Sequence, residues 1–374
     1  MIYPLALVLA LSSCAKESES KKDPSEIKSI DEVEDISQSK EETKVIEKFD
    51  KTYYEYFDTV TTLMTYTDDG KDFERISKIL EDELAKYHKL YNSYDEFEGI
   101  NNFKTINDKA GIEPVKVDPE IIDLIDYSKE MYELTDGKIN IAMGRVLEIW
   151  HEYRQMASKN PDNASIPTDK ELEEASKHVD IDAIEVDHEN MTVFIKDPDV
   201  KLDIGAVGKG FATERIAKTL KDQGFKRGIL SVGGDDVIIG ENPNNEDGTW
   251  KIAIVNPFLD QEDKPYSSAI DIKDTSVVTS GDYQRYFTVD GKNYHHIIDP
   301  ATNYPSEKWK SVSVSTDSIA LADTLSTYLF IIDYEDGLKV LEENGAEGFL
   351  IDQEGKEYRT DGWQEVEDTE ILEK

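Results

Sequence analysis

Tyr286-Phe287-Thr288-Val289-Asp290-Gly291-Lys292-Asn293-Tyr294-His295-His296-Ile297-Ile298 is the stretch on which the fold class turns. Asp-Gly between two runs of aromatic and β-branched residues predicts a two-residue β-hairpin, because both central positions of such a turn need positive φ. Working outward, residues 312–315 predict a strand, and residues 228–232, 250–255 and 276–279 are equally β-rich. Residues 184–186 and 192–195 predict a pair, and alternation over 56–66 predicts an early strand. A terminal hairpin closes the chain. Helical spacing follows Asp72, read as a cap, through Phe73, Ile76, Ile79, Leu80, Leu84, Tyr87 and Tyr91. Asp118-Pro119 starts a second helix, 145–157 carries a third, and Thr168 to Glu171 reads as the capping box of a fourth. Two more are expected at 319–331 and 335–343. Helices and hairpins in mixed order predict an α+β fold, with mixed or antiparallel sheets flanked by helices in a single large two-lobed domain, rather than a doubly wound parallel sheet.

The chain has 374 residues, with 42 Lys and Arg against 81 Asp and Glu, a formal net charge of −39. Such a surface repels a phosphate backbone, which excludes nucleic-acid binding as a working function. Hydrophobic residues make up only 38%, yet 19 tyrosines point to a folded body with a polar segment elsewhere. That segment is residues 14–51, almost all Lys, Glu, Asp and Ser, which reads as a charged tether; the domain is expected over 52–362, starting near Tyr53, with an acidic tail at 363–374. Ahead of the tether, residues 1–13 form a short apolar run ending in Leu11-Ser12-Ser13, followed by Cys14, the single cysteine. The run is too short to span a bilayer and reads as an export signal. Leu-Ser-Ser-Cys resembles a bacterial lipobox, which implies a lipid on Cys14 and a domain held at the extracytoplasmic face of the cell membrane.

Three places carry candidate chemistry. Asp203-Ile204-Gly205-Ala206-Val207-Gly208-Lys209-Gly210-Phe211-Ala212 joins an apolar strand to a helix, and reads either as a phosphate cradle with Lys209 as a second positive element or as a tightly packed connection. It is neither a Walker loop nor a dinucleotide fingerprint. Ser231-Val232-Gly233-Gly234-Asp235 again places glycines at a strand end, and Thr279-Ser280-Gly281-Asp282-Tyr283 leads into the hairpin. There His296 is a candidate for phosphate bonding or proton transfer, and His295, on the opposite face, should point elsewhere. Finally, Asp323, Ser326 and Thr327 fall on one side of a helix. Asp323 reads either as an oxygen ligand with its neighbours, suited to Mg²⁺ rather than Zn²⁺, or as a carboxylate complementing the helix dipole.

These blocks, in this order, resemble the ApbE family of flavin transferases over roughly residues 56–343. Asn92-Ser93-Tyr94 and Thr135-Asp136-Gly137 add to the likeness. The resemblance implies an enzyme that binds FAD with Mg²⁺ and attaches FMN through a phosphoester to a Thr or Ser hydroxyl of an exported acceptor protein, releasing AMP. It implies Ala206 (through its carbonyl), Asp323, Ser326 and Thr327 around the metal, with Asp323 and His296 catalytic. FAD contacts are implied for Phe57, Tyr94, Lys138, Ile139, Asn140, Asp203, Lys209 and Ile298. The chain departs from the family at Phe57-Asp58-Thr59, where many members have Met-Gly-Thr, and at Lys138-Ile139-Asn140, where a frequent Ala-Phe-Asp loses its carboxylate. Two other functions fit the same residues: hydrolysis of FAD to FMN and AMP, and a lipid-anchored flavin-binding protein without catalysis.

Overall fold

The structure is a computed structural model, and it describes residues 45–261, 263–364 and 366. Cys14 and most of the expected tether lie outside them. Eight strands form the central sheet: Glu47–Tyr53, Thr61–Thr67, Gly228–Val232, Asp235–Ile239, Ser276–Gly281, Trp309–Thr316, Glu347–Asp352 and Glu357–Arg359. They lie side by side in chain order, and each neighbouring pair is antiparallel. The fold is α+β, as expected.

The period-2 pattern sorts the core into two faces. Leu63, Leu230, Val237, Val278, Val312 and Leu350 face the helices and join the largest core. Met64, Ile229, Ile238, Val277 and Phe349, each one residue out of step with a member of the first set, face the hairpin Trp250–Val255/Tyr266–Ile272 and pack with Trp250, Ile252 and Ile254. A third core gathers Trp150, Phe287 and Ile298 beneath the hairpin Tyr286–Val289/Lys292–His295. In that hairpin Asp290 and Gly291 have φ of 51° and 81°, the paired positive values its turn requires.

Three expectations are corrected. The first sheet strand occupies Glu47–Tyr53, inside the span read as tether, because it is an edge strand: only Tyr53 is buried, so its composition stays polar. At the other end Trp363 is buried against Phe349, with ring centroids 5.7 Å apart, so the core reaches into the expected tail. Helix Gly70–Leu90 is capped by Asp69, whose side chain accepts from the amides of Lys71 and Asp72 at 3.1 and 3.0 Å; Asp72 instead pairs with Arg75. Helices Pro119–Leu134, Gly144–Lys159 and Asp169–Ala175 begin and end near their expected limits, and a short helix, Phe103–Asp108, was not foreseen. Among the described residues no helix is long and apolar enough to cross a membrane.

Candidate active site

Two helices define one pole of the site. Helix Gly208–Asp222 starts in the glycine-rich segment, and helix Ile319–Leu329 lies against it. Glu214 of the first accepts from the Ser318 hydroxyl and from the Ala320 amide at 3.4 Å, holding the start of the second. One turn nearer the glycine-rich start, the Gly210 amide donates to Asp323 Oδ2 at 2.7 Å. The approach is so close that a Cβ on Gly210 would fall 2.4 Å from Asp323 Cβ and 2.7 Å from the Ile319 carbonyl oxygen. The glycine is therefore a packing requirement, and it lets a helix-start amide reach a buried carboxylate.

Lys209 joins this pole to the sheet. Its ammonium donates to Asp323 Oδ1 at 3.2 Å and forms an ion pair with Asp235, the residue after Gly233-Gly234. Both carboxylates are almost fully buried, so each needs compensation, and one ammonium serves both. Sequence reasoning quoted Asp235 without giving it a role; its position just beyond two glycines at a strand end was the available signal. Ser326 sits beside Asp323: its hydroxyl donates to the Asp323 carbonyl at 3.0 Å and shares a 2.8 Å hydrogen bond with Ser280 Oγ on the neighbouring strand. Thr327 is half-buried one turn along from Asp323, and among the described residues its hydroxyl makes no hydrogen bond. The donor set is oxygen only, with a buried carboxylate at its centre, and this chemistry fits a hard divalent cation.

The other pole is aromatic and basic. Tyr94 stacks on His151, with centroids 5.1 Å apart and planes at 25°, and His151 Nδ1 lies 3.0 Å from the Arg154 guanidinium. Burial, then the Arg154 charge, push His151 below the usual histidine range. Asp203 accepts from the Gly205 amide at 2.8 Å, and burial raises its carboxyl against that bond. Burial, then the Asp203 charge, raise the Tyr94 phenol to about 12. His296 leaves Nδ1 buried with no partner, and burial followed by the Arg285 charge pushes it down to about 3, so the imidazole is neutral. His295 does point elsewhere: Nε2 donates to the Ser306 carbonyl at 2.6 Å and its ring meets Phe330 edge-on.

The remaining expected residues divide. Phe57 and Asp58 both adopt positive φ, 57° and 51°, at the position where many relatives carry Gly, and the Phe57 amide donates to His88 Nδ1 at 3.2 Å. Asn140 is committed to the backbone, donating to the Val179 carbonyl and accepting from the Ala142 amide, each at 2.8 Å. Ile139 and Ile298 bury their side chains in the core. Lys138 and Ala206 are half-buried. Of the three hydroxyl and carboxyl ligands expected on one helix, Ser326 is thus the one already engaged by protein partners.

A family model described as the ApbE family matches residues 57–350. A Klebsiella pneumoniae FAD:protein FMN transferase is 31% identical over 69% of this chain and 78% of its own length. One from Haemophilus influenzae is 28% identical over 84% of this chain and 89% of its own. Among solved structures, the ApbE protein of Thermotoga maritima superposes with a TM-score of 0.74 at 29% identity, covering 88% of this chain and 100% of that one.

Proposed function

Because the chain belongs to the ApbE family, we propose that it uses FAD to place FMN, through a phosphoester, on a Thr or Ser hydroxyl of an exported acceptor protein, with Mg²⁺ as cofactor. The chain is a flavin transferase; the metal, the acceptor and the released AMP belong to the proposal. The observation that carries it is the buried Asp323, met by the Gly210 amide and Lys209 inside the matched region and flanked by free Thr327.

In this reading Asp323, Thr327 and the Ala206 carbonyl would hold the cation, with Ser326 positioning the Asp323 turn. Bound there, Mg²⁺ would neutralise charge on the diphosphate oxygens. The chain's own residues do the rest. His296, kept neutral, accepts the proton of the acceptor hydroxyl as its oxygen bonds to the flavin-side phosphorus. The bond from that phosphorus to the bridging oxygen breaks, and AMP leaves with the bridging oxygen. Tyr94, stacked on His151, offers a flat surface at the mouth. Lys209 holds Asp235 and Asp323 in place when the cation is absent. Cys14, in the same reading, carries the lipid that keeps the domain at the extracytoplasmic face.

The test is to incubate the protein with FAD, Mg²⁺ and an FMN-binding-domain acceptor and to weigh the acceptor by intact mass spectrometry. A gain of one FMN less water, lost with EDTA and in Asp323→Ala, supports the transferase. Free FMN and AMP beside an unlabelled acceptor would replace it with a hydrolase, and unchanged FAD would leave only binding.

A further inference from the structure

Beyond the residues assigned above, two arginines meet at His296. Tyr286 pairs with His295 across the hairpin, and Phe287 with Tyr294. Extending that register by one step sets Arg285 opposite His296, on the face shared by Phe287 and Tyr294. Trp150 covers this face, with its ring centroid 6.3 Å from Phe287 and 5.9 Å from Tyr294. Arg154 stands one helical turn beyond Trp150, so the helix brings it toward the same end of the hairpin. The 3.0 Å contact between Arg154 and His151 places that guanidinium beside the Tyr94–His151 stack.

Arg285 is exposed, and among the described residues its guanidinium has no hydrogen bond or ion pair. That is unusual company for a chain with 81 acidic residues, in which Arg75, Arg145, Arg215 and Arg359 all find carboxylates. The charges of Arg285 and Arg154 both bear on His296 and hold its imidazole below the usual range, as does His295, while its bond to the Arg285 backbone opposes them. Both charges also bear on Tyr94, where Asp203 and Glu148 supply the opposing negative charge. Two converging cations beside a neutral base form a place for an anion, and guanidinium matches phosphate oxygens in pairs.

We propose that Arg285 and Arg154 form an anion seat beside His296 that takes the oxygens of the flavin-side phosphate, turning that phosphorus toward the acceptor hydroxyl. The inference rests on the transferase reading for its role, but the seat itself is tested by binding alone. Asp323 and Lys209 hold the opposite pole, so the substrate's charged group is gripped from two sides. The arginines bind the phosphate directly, and no proton passes through them.

The test compares FMN with riboflavin, which differ by the phosphate, in binding to the full chain followed by flavin fluorescence. The parent protein should bind FMN at least about ten-fold more tightly than riboflavin. Arg285→Gln and Arg154→Gln should each reduce that ratio several-fold, the double variant should abolish it, and Arg285→Lys should keep more of it than Arg285→Gln. Arg285, being exposed and unpaired, should be replaceable without change in circular dichroism. Equal binding of FMN and riboflavin by the parent, or an unchanged ratio in a folded double variant, overturns the seat. If the ratio collapses as expected while no acceptor is labelled, the seat stands and the transferase reading fails; if the acceptor is labelled at the parental rate by the double variant, the reverse holds.

Discussion

Replacing Gly210 with alanine sets two physical effects against each other. Within a helix the change from Gly to Ala is favourable by about 1 kcal/mol. Here the new methyl would lie 2.4 Å from Asp323 Cβ and 2.7 Å from the Ile319 carbonyl oxygen, and neither atom can swing away because both belong to, or sit directly on, the backbone of the packed helix. Overpacking of this kind costs about 1–3 kcal/mol, and forcing the helices apart also lengthens the Gly210–Asp323 hydrogen bond, a charged one worth about 1.5–3 kcal/mol. Packing wins, and Gly210→Ala should be destabilised by about 1–3 kcal/mol. Gly337 is the control, since it too lies within a helix but its added methyl would meet the tip of Leu329, 2.6 Å away at Cδ2, which can rotate. Gly337→Ala should match or exceed the parent. Urea titrations of both variants, paired with the flavin-transfer assay, read the difference. A Gly210→Ala protein as stable as Gly337→Ala and with parental activity would refute the close-packing account of the site.

Other expectations concern charge. Asp236 is buried on the face away from the helices, bonded to Ser231, and burial raises its carboxyl to about 7. A raised acid favours the fold while protonated, so its contribution is whole below about pH 4 and is lost as pH climbs through 7. At about 1.4 kcal/mol per pH unit, that loss approaches about 4 kcal/mol as an upper bound, and Asp236→Asn should flatten the stability profile over this range in thermal melts. His296 should show no imidazole protonation by NMR from pH 8 down to about pH 4 in the free protein, and a midpoint near 6.5 would contradict its burial beside two arginines. Lys209→Met leaves Asp235 and Asp323 facing each other without their shared cation, a loss of about 3 kcal/mol. Mg²⁺ should raise the melting temperature of that variant more than the parent's; an equal rise would argue against a cation at Asp323.

Much of this architecture was legible because local rules and tertiary packing agree. The Asp290-Gly291 turn, the Thr168 capping box and the Asp118-Pro119 helix start each rest on a few adjacent residues, and each is present. What escaped was decided at a distance. Strand Glu47–Tyr53 is polar because it is an edge, and only its pairing with Thr61–Thr67 identifies it. The site shows the same division. The glycine-rich block and the Asp323 helix announce themselves, but the sharing of Lys209 between Asp235 and Asp323 depends on strands and helices far apart in the chain. Arg154 and Arg285 carry no local signal, since a helix surface and a hairpin end are ordinary places for arginine until packing against Trp150 brings them together.

The order of strands in the sheet bears on how the chain is made. Thr61–Thr67 pairs on one side with Glu47–Tyr53, a few residues away, and on the other with Gly228–Val232, where Thr65 Oγ1 donates to the Arg227 carbonyl across 162 residues of sequence. A ribosome moving at about 5–20 residues per second would leave that second edge without its neighbour for roughly ten seconds or more. During this interval Leu63 and Met64, later buried on opposite faces, have nothing to pack against from the strands beyond. The outer edge is better defended, with Glu47, Lys48, Asp50 and Lys51 deterring strand addition there. The nascent hairpin is therefore guarded on the side that stays free for life and vulnerable on the side that will be closed last.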